Sequence, residues 1–379
     1  DVVEDNRNPK KLRVFFDAEF TAKIQVIKKD ADTNKIVLKP NAKYRILNKE
    51  TNTYVEQWMT YPVKVLMGTE ENPYTTDESG TMTTPLSLRV GEYQLQEIGA
   101  PEGYVIVGHE GISDRGVYTA TPSSYVDFRI SKSTALEYDE DTKDAILKVE
   151  QYDKQQVGSL TVNVSGEYLN GYTKDADANY NFEYQTRPIE GIEFTLYAKY
   201  NIYSQDNQKD IVYSKDEAVA TIKSDSNGKC IFDNLPIGMY YIKETKSVDG
   251  FVINKLAKDV EIAYEGQEQA VVYRNESYTN ERQKVEITLT NKDNETDELL
   301  PGGKFGLFTK EKIKYTDENG QSKEIEADEM IYTVTADENG VAKWNAQDNV
   351  DLPLGKYYIK QLEAPYGYVT NHDIVDVNA

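Results

Sequence analysis

The sequence contains a single cysteine and only two histidines among its 379 residues. One cysteine cannot form a disulfide within the chain, so the fold must be held together in another way. Cys230 lies in an apolar segment, GKCIFDNLP, where we expect a small core residue and not a reactive thiol. His109 and His372 lie near neither this cysteine nor a nucleophile-elbow motif, so the pattern of a hydrolytic triad is missing.

Long apolar segments and nucleotide-binding motifs are missing as well. No stretch of about 18 apolar residues occurs, so we expect no membrane insertion in this segment. Phosphate-binding loops, dinucleotide fingerprints and H-E-x-x-H motifs are lacking. Among the 65 acidic residues, no spacing singles out a catalytic carboxylate pair. We therefore expect no cofactor and no enzyme activity on external substrates.

Positive charge is scarce. Lys and Arg total 43 against 65 Asp and Glu, which gives a net charge of −22. A polyanion of this size repels nucleic acids and acidic membrane surfaces, so we expect neither as a partner.

Tyrosine and β-branched residues are abundant, with 29 tyrosines in the chain. Segments such as KIQVIKKDADT (23–33) alternate apolar and polar residues with period two, whereas patterns with the helical period are rare. Alternation of this kind is typical of half-buried strands in a sandwich. The sequence therefore predicts an all-β fold.

A motif of about a dozen residues occurs three times. Its copies are YQLQEIGAPEGY (93–104), YYIKETKSVDGF (240–251) and YYIKQLEAPYGY (357–368). Each copy is preceded by an opening strand, a short apolar strand and a D-x-x-G tetrad, in which glycine permits the positive φ of a hairpin turn. The tetrads lack the acidic ladder and distal glutamate of a calcium loop, so we expect no metal site. They lie at Asp77–Gly80, Asp225–Gly228 and Asp337–Gly340.

Self-similarity at a spacing above 100 residues indicates tandem domains and not a small-unit solenoid. Polar joints place the predicted domains at residues 21–156, 157–283 and 284–379, called domains 1, 2 and 3 below. Residues 1–20 are interpreted as the closing strand of a preceding unit followed by a linker. Eleven residues follow Tyr368, so we expect domain 3 to lack its last strand and to have an open sheet edge.

The repeated features together resemble a known family. Opening strand, apolar strand, D-x-x-G turn, G-x-Y-x-L-x-E strand and APxGY box are similar to the collagen-adhesin B-type repeats, or SpaA-like prealbumin-fold domains, of Gram-positive surface proteins and pilins. The resemblance covers nearly the whole chain from about residue 20, and the E-x-x-A-P-x-G-Y box is its most specific part. It implies tandem inverse-Ig β-sandwiches. It also implies, in many members, an isopeptide bond between a first-strand Lys and a last-strand Asn or Asp, promoted by the glutamate of the box.

Period-two counting tests where these residues would point in domain 1. Lys28 is in phase with the apolar residues of the first strand, and Glu97 is in phase with those of the box strand. Asp153 lies on the closing strand, where the resemblance places the acceptor. We therefore predict a Lys28–Asp153 bond with Glu97 as the proton shuttle.

Domains 2 and 3 depart from this pattern. In domain 2, Glu244 and Asn280 occupy the acid and acceptor positions, but Val164 occupies the lysine position. We expect no bond there unless another lysine, of which Lys174 is nearest in sequence, enters the core. In domain 3, Asn291 replaces the lysine and Gln361 replaces the glutamate, and an amide cannot exchange a proton at neutral pH. Domain 3 is therefore expected to rely on ordinary packing.

The resemblance implies a structural segment of a cell-wall-anchored extracellular protein, the stalk of an adhesin or pilus-type protein. Attachment to peptidoglycan would occur through parts outside this sequence. The alternative is a ligand-binding adhesin that recognises a host matrix protein or a glycan. Its candidate faces are the long insertions at residues 105–145 and 166–187.

Overall fold

The computed structural model describes residues 18–106 and 125–378, and every secondary-structure element in these ranges is a β-strand. The predicted all-β class is confirmed. No helix in the described ranges is long and apolar enough to cross a membrane. Residues 1–17, which contain most of the expected closing strand of a preceding unit, lie outside the described residues, as do residues 107–124 of one candidate binding insertion.

Domain 1 is a sandwich of two sheets. One sheet has the order β10-β13-β1-β7, with β12 beside β13 and β8 beside β1, and the other has the order β11-β9-β2-β3, with β6 beside β2. Strands β4 and β5 form a separate hairpin. The strands are β1 Thr21–Asp30, β2 Lys43–Asn48, β3 Thr53–Tyr54, β4 Gln57–Met59, β5 Val65–Met67, β6 Tyr74–Thr75, β7 Thr81–Thr83, β8 Leu88–Arg89, β9 Gly91–Gly99, β10 Tyr104–Val105, β11 Tyr125–Ile130, β12 Glu137–Tyr138 and β13 Ala145–Gln155.

Domain 2 repeats this arrangement. Strand β14 lies between β20 and β23 and also pairs with β15, while the facing sheet has the order β19-β16-β21-β22. Strands β17 and β18 form a hairpin. The strands are β14 Val157–Lys174, β15 Tyr180–Pro188, β16 Glu193–Ala198, β17 Ile202–Tyr203, β18 Ile211–Tyr213, β19 Ala218–Lys223, β20 Lys229–Leu235, β21 Gly238–Lys246, β22 Lys258–Ile262 and β23 Val271–Asn280. Cys230 is fully buried in the core between the sheets, as expected.

Domain 3 has a smaller first sheet, in which β24 pairs with β29, and a facing sheet of order β28-β25-β30-β31. Strands β26 and β27 form a hairpin. The strands are β24 Ile287–Thr290, β25 Lys304–Thr309, β26 Ile313–Thr316, β27 Ser322–Ile325, β28 Met330–Thr335, β29 Val341–Trp344, β30 Lys356–Glu363 and β31 Ile374–Asn378.

The first and last strands of domains 1 and 2 pair in parallel. In domain 1, β1 lies beside β13, and in domain 2, β14 lies beside β23. Alternate residues of β1 are buried, so one face of the strand points into the sandwich core along its whole length. This pairing brings the two ends of each domain's sequence to neighbouring strands of one sheet.

The D-x-x-G tetrads form the predicted hairpin turns. Gly80, Gly228 and Gly340 have φ of 72°, 69° and 69°. The preceding aspartates accept hydrogen bonds from turn amides; Asp225, for example, accepts from the amides of Asn227 and Lys229 at 2.9 Å each. These carboxylates therefore satisfy the backbone of the turn, and the described residues contain no group of three or more side chains suited to a metal ion.

Strands β14 and β15 extend beyond domain 2 and pack against domain 3. Tyr180, at the start of β15, is 1% exposed and belongs to the core of domain 3. Its hydroxyl donates to Glu329 at 2.9 Å, and that of Tyr184 donates to the carbonyl of Asp351 at 2.7 Å. The expectation that residues 166–187 form a ligand-binding face is therefore wrong for these side chains, because domain 3 covers them.

The joint between domains 1 and 2 is packed as well. Gln156, the residue between β13 and β14, is fully buried, and its side chain accepts from the amide of Glu265 at 2.9 Å and donates to the carbonyl of Gly266 at 2.7 Å. The loop between β17 and β18 reaches domain 1, where the amide of Leu38 donates to the carbonyl of Asp206 at 2.9 Å. Direct hydrogen bonds therefore join the two domains.

Candidate isopeptide site

The parallel pairing of β1 and β13 sets the position of the reactive side chains in domain 1. Lys28 lies opposite Gln151, and Asp153 follows two residues later on the same face of β13. Glu97 reaches the same point from β9 in the facing sheet. The lysine, the glutamate and the aspartate are each fully buried, as period-two counting predicts.

The three side chains contact each other. Lys28 Nζ lies 2.7 Å from Glu97 Oε1 and 2.7 Å from Asp153 Oδ2. The second oxygen of Glu97 accepts a hydrogen bond from the side-chain amide of Gln151 at 3.1 Å. The amine therefore lies between the two carboxyl groups, while Gln151 holds the glutamate from the far side.

Burial favours the protonated form of the acceptor, Asp153. The pKa of Asp153 is raised well above its usual range, mainly because burial removes the carboxyl group from water. The nearby charge of Glu97 raises it further. A carboxylic acid is a better acceptor for an amine than a carboxylate, because its hydroxyl can leave as water. Tyr44 lies beside the site, with its ring centroid 6.0 Å from Lys28 Nζ, and excludes solvent from it.

A second buried group lies at the end of β1. The hydroxyl of Tyr104, the last residue of the APEGY box, donates to Asp30 Oδ2 at 2.9 Å, and Gln155 Nε2 donates to the same oxygen at 2.6 Å. Although burial raises the pKa of Asp30, hydrogen bonds from Gln155, the Thr33 amide and Tyr104 lower it below the usual value. Asp30, at the end of the first strand, is thus bonded both to the tyrosine of the box and to Gln155 of the closing strand.

The supporting roles of Gln151 and Tyr44 were not predicted from the sequence. The phase of Gln151 with Asp153 places it in the core, and a buried amide between two acidic positions is a signal for a positioning role. Nothing in the sequence indicates a role for Tyr44 at this site, because a tyrosine on an apolar strand is typical of ordinary core packing.

Domain 2 contains the same framework without the amine. Val164 lies opposite Tyr278, two residues before Asn280, and is 2% exposed. The side-chain amide of Asn280 donates to both oxygens of Glu244, at 2.9 and 2.8 Å. The amide of Asn254 also donates to Glu244, at 3.0 Å. The acid and the acceptor are therefore in contact, and the lysine position holds a buried valine.

The lysine considered as a replacement does not enter this core. Lys174, the nearest in sequence, lies at the far end of β14 and forms an ion pair with Glu329 of domain 3, at 3.3 Å. Its side chain is 41% exposed.

In domain 3, neither replacement forms a reactive pair. Asn291 donates to the carbonyl of Leu300 at 3.1 Å, and Gln361 accepts from the amide of Asn371 at 2.7 Å. The neighbouring Lys292 is half-exposed, 3.6 Å from Asp297.

Comparisons with known proteins agree with this architecture. The family described as SpaA, prealbumin-like fold domain, matches residues 22–112, 178–277 and 285–379. The second match begins within the extended hairpin, whereas the paired first strand of domain 2 begins at Val157. A comparison with curated proteins found no match.

Solved structures include similar chains. The Bacillus anthracis TIE protein is 21% identical over 94% of this chain and 48% of that chain, with a TM-score of 0.53. The chain thus spans about half the length of that protein, and the likeness shows the fold. BcpA, the major pilin subunit of Bacillus cereus, is 17% identical, covering 94% of each chain with a TM-score of 0.32. The shaft pilin SpaA from Lactobacillus rhamnosus GG is 17% identical, covering 59% of this chain and 94% of that one with a TM-score of 0.24.

The family matches cover most of the chain and confirm the resemblance, so the chain belongs to the SpaA prealbumin-like fold domain family and carries three of its domains in tandem.

Proposed function

We propose that this chain is a structural segment of a Gram-positive cell-surface stalk, of the adhesin or pilus type, in which domain 1 forms a spontaneous isopeptide bond between Lys28 and Asp153. The observation that carries the proposal is the buried contact of Lys28 Nζ with Asp153 and Glu97, at 2.7 Å each. The stalk role is supported by family membership and by the packed joints between successive sandwiches. Attachment to the cell wall would use parts outside this sequence.

The reaction is a condensation within one core. Lys28 gives a proton to Glu97, and the neutral amine attacks Cγ of the protonated Asp153. The Nζ–Cγ bond forms and the bond from Cγ to the hydroxyl oxygen breaks. Of the four protons on the ammonium and the carboxylic acid, one stays on the amide nitrogen, two leave in water and one remains on Glu97.

The fold supplies the conditions for this step. Burial disfavours the charged form of Asp153. Fixed neighbouring strands hold the amine and the acid in contact, which gives a high effective concentration. The product would join β1 to β13, so a pulling force that enters at one end of the domain would pass through a covalent bond. We therefore assign the bond a mechanical role.

A digest of the denatured chain tests the proposal. We expect a branched peptide in which the segment containing Lys28 is joined to the segment containing Asp153. The matched Glu97→Gln variant keeps the shape of the side chain but cannot take a proton, and it should give the two segments as separate peptides. Separate peptides from the unsubstituted chain would contradict the proposed bond.

A second candidate function is ligand binding, and an exposed hairpin favours it. The β4–β5 hairpin of domain 1 presents Trp58, Tyr61 and Val63, which are 52%, 85% and 66% exposed. Exposed aromatic side chains of this kind are typical of binding surfaces. Binding of the chain to purified matrix proteins or glycans, lost in a Trp58→Ala and Tyr61→Ala double variant, would support this function; equal binding by both proteins would contradict a role for the hairpin.

A further inference from the structure

Strand β2 places a tyrosine directly opposite the glutamate of the box in domain 1. Tyr44 pairs with Glu97 in the register of β2 and β9, so both side chains lie on the same face of the sheet. Both residues are fully buried. Lys28 Nζ lies over the ring of Tyr44, 6.0 Å from its centroid. The tyrosine therefore forms part of the wall around the reactive groups.

The hydroxyl of Tyr44 is buried and has no hydrogen-bond partner among the residues that the structure describes. Two other tyrosines of this core do have partners. The hydroxyl of Tyr74 donates to the carbonyl of Val55 at 3.0 Å, and that of Tyr93 donates to the carbonyl of Arg89 at 3.0 Å. A buried donor without a partner costs stability, so its presence beside reactive groups indicates a role in their chemistry.

A second polar atom without a hydrogen bond belongs to the acceptor. Within the described ranges, Oδ1 of Asp153 is buried and accepts no hydrogen bond, whereas Oδ2 lies 2.7 Å from Lys28 Nζ. Burial, followed by the charges of Glu97 and Asp153, raises the pKa of Tyr44 well above its usual value. The phenol therefore keeps its proton at neutral pH and is available as a hydrogen-bond donor.

The other two domains lack this hydroxyl. Phe194 pairs with Glu244 in domain 2, and Phe305 pairs with Gln361 in domain 3, each at the position that Tyr44 occupies in domain 1. Both phenylalanines are buried. Packing of the sandwich thus does not require the hydroxyl, because a plain ring fills the same position in two domains. The hydroxyl is present in the domain that has the lysine and absent from the two that do not.

We propose that the hydroxyl of Tyr44 stabilises the tetrahedral intermediate of the condensation by donating a hydrogen bond to the oxyanion that forms on Asp153. This inference rests on the proposed bond between Lys28 and Asp153. When the neutral amine attacks Cγ, an electron pair of the C=O bond moves onto the oxygen. The pair returns when the hydroxyl oxygen takes a proton from the nitrogen and leaves as water. Tyr44 keeps its own proton throughout, so the balance of the condensation is unchanged.

The position of the donor explains why it would act on the rate. A hydrogen-bond donor that is fixed in a site without water stabilises a developing charge with little reorganisation. Before the reaction, the hydroxyl of Tyr44 has no hydrogen bond to give up. Its bond to the oxyanion would therefore stabilise the intermediate more than the starting state, and such a difference is what accelerates a reaction.

The rate of bond formation in newly made chains tests this role. The full chain is made by cell-free synthesis with a short labelled pulse, quenched in denaturant at intervals and digested, and the labelled branched peptide is measured. We expect Tyr44→Phe to form the bond about a hundredfold more slowly, a typical effect of losing one oxyanion donor. The matched Tyr74→Phe chain loses a hydroxyl that is bonded to Val55 in the same core, and it should keep a rate close to that of the unsubstituted chain.

The outcomes separate this role from the bond itself. Separate peptides at every time from the unsubstituted chain would refute the bond and, with it, the role of Tyr44. Equal rates in the unsubstituted and Tyr44→Phe chains would leave the bond in place and refute the role of the hydroxyl. Equal slowing in Tyr44→Phe and Tyr74→Phe would also refute it, because the effect would then come from packing.

A second measurement keeps the hydroxyl and changes its strength as a donor. Incorporation of 3-fluorotyrosine at position 44 nearly preserves the shape of the ring, while the fluorine makes the hydroxyl more acidic and therefore a stronger donor. We expect the bond to form faster than in the unsubstituted chain, whereas a role in packing alone predicts no increase. A rate equal to or below that of the unsubstituted chain would overturn the proposal.

Discussion

Val164 occupies in domain 2 the position that Lys28 occupies in domain 1. Lys28 lies opposite Gln151 and Val164 lies opposite Tyr278, and each of these partners precedes the acceptor position by two residues. Lys28 and Val164 are both buried. The two sites therefore differ chiefly in whether an amine is present. This relationship makes domain 2 a test of which groups the reaction needs.

The first prediction is that Val164→Lys creates a bond in domain 2. The new amine would lie beside Glu244 and Asn280, which already contact each other. Attack on the carboxamide of Asn280 expels ammonia, so high-resolution mass measurement should show the additional loss of one ammonia. A Val164→Lys, Glu244→Gln chain lacks the proton acceptor and should keep its ammonia; loss of ammonia in both chains would remove Glu244 from the mechanism.

The second prediction concerns pH. Lys28→Met removes the amine and leaves Asp153 buried as a free acid beside Glu97. Burial and the charge of Glu97 hold the folded-state pKa of Asp153 above its unfolded value. The unfolded state then loses its proton first, so stability is greatest below the ordinary aspartate pKa and falls as the pH rises toward the raised one, by up to about 1.4 kcal/mol per pH unit.

Denaturant unfolding of the Lys28→Met chain at several pH values measures this slope. The unsubstituted chain is the control, because the proposed bond would consume its Asp153, which would then no longer titrate. A slope of opposite sign in the variant, or the same slope in both chains, would contradict the assigned environment of Asp153.

The third prediction is that domain 3 depends on the hairpin of domain 2. Tyr180→Ala removes a ring buried in the core of domain 3, together with its bond to Glu329. Loss of a large buried ring costs about 3 kcal/mol or more. We expect earlier thermal unfolding and faster proteolysis of domain 3, while Tyr203→Ala, at a tyrosine that is 48% exposed, leaves both unchanged. An unchanged domain 3 in Tyr180→Ala would mean that it folds without the hairpin.

The fourth prediction is that Cys230 does not react in the folded chain. Burial raises the pKa of its thiol to about 12, so the thiolate is scarce at neutral pH. A thiol reagent should modify Cys230 only after denaturation. Rapid modification of the native chain would place this residue outside the core of domain 2.

Much of the site follows from the sequence because strand side chains alternate. Lys28, Glu97 and Asp153 are each in phase with apolar neighbours. Period-two counting therefore predicts that all three side chains point into the core of domain 1. The same counting identifies Val164 as the residue in the lysine position. Alternation gives only the face on which each residue lies, whereas the resemblance to the SpaA-like domains indicates which of the core-facing residues would take part in a bond.

The contacts between domains do not follow from alternation. The sequence of residues 166–187 indicates an insertion that is rich in tyrosine. Such a composition is typical both of a binding surface and of a packed hairpin. Whether Tyr180 faces solvent or another core depends on where domain 3 lies relative to domain 2. The bonds of Gln156 to residues more than 100 positions away depend on tertiary structure in the same way.

The intact mass of the purified, denatured chain tests the central claim most directly. A single Lys28–Asp153 bond expels one water, so the mass should be one water below the sequence mass, and Lys28→Ala or Glu97→Ala should each restore the full mass expected for that variant. The full sequence mass in the unsubstituted chain would contradict the account.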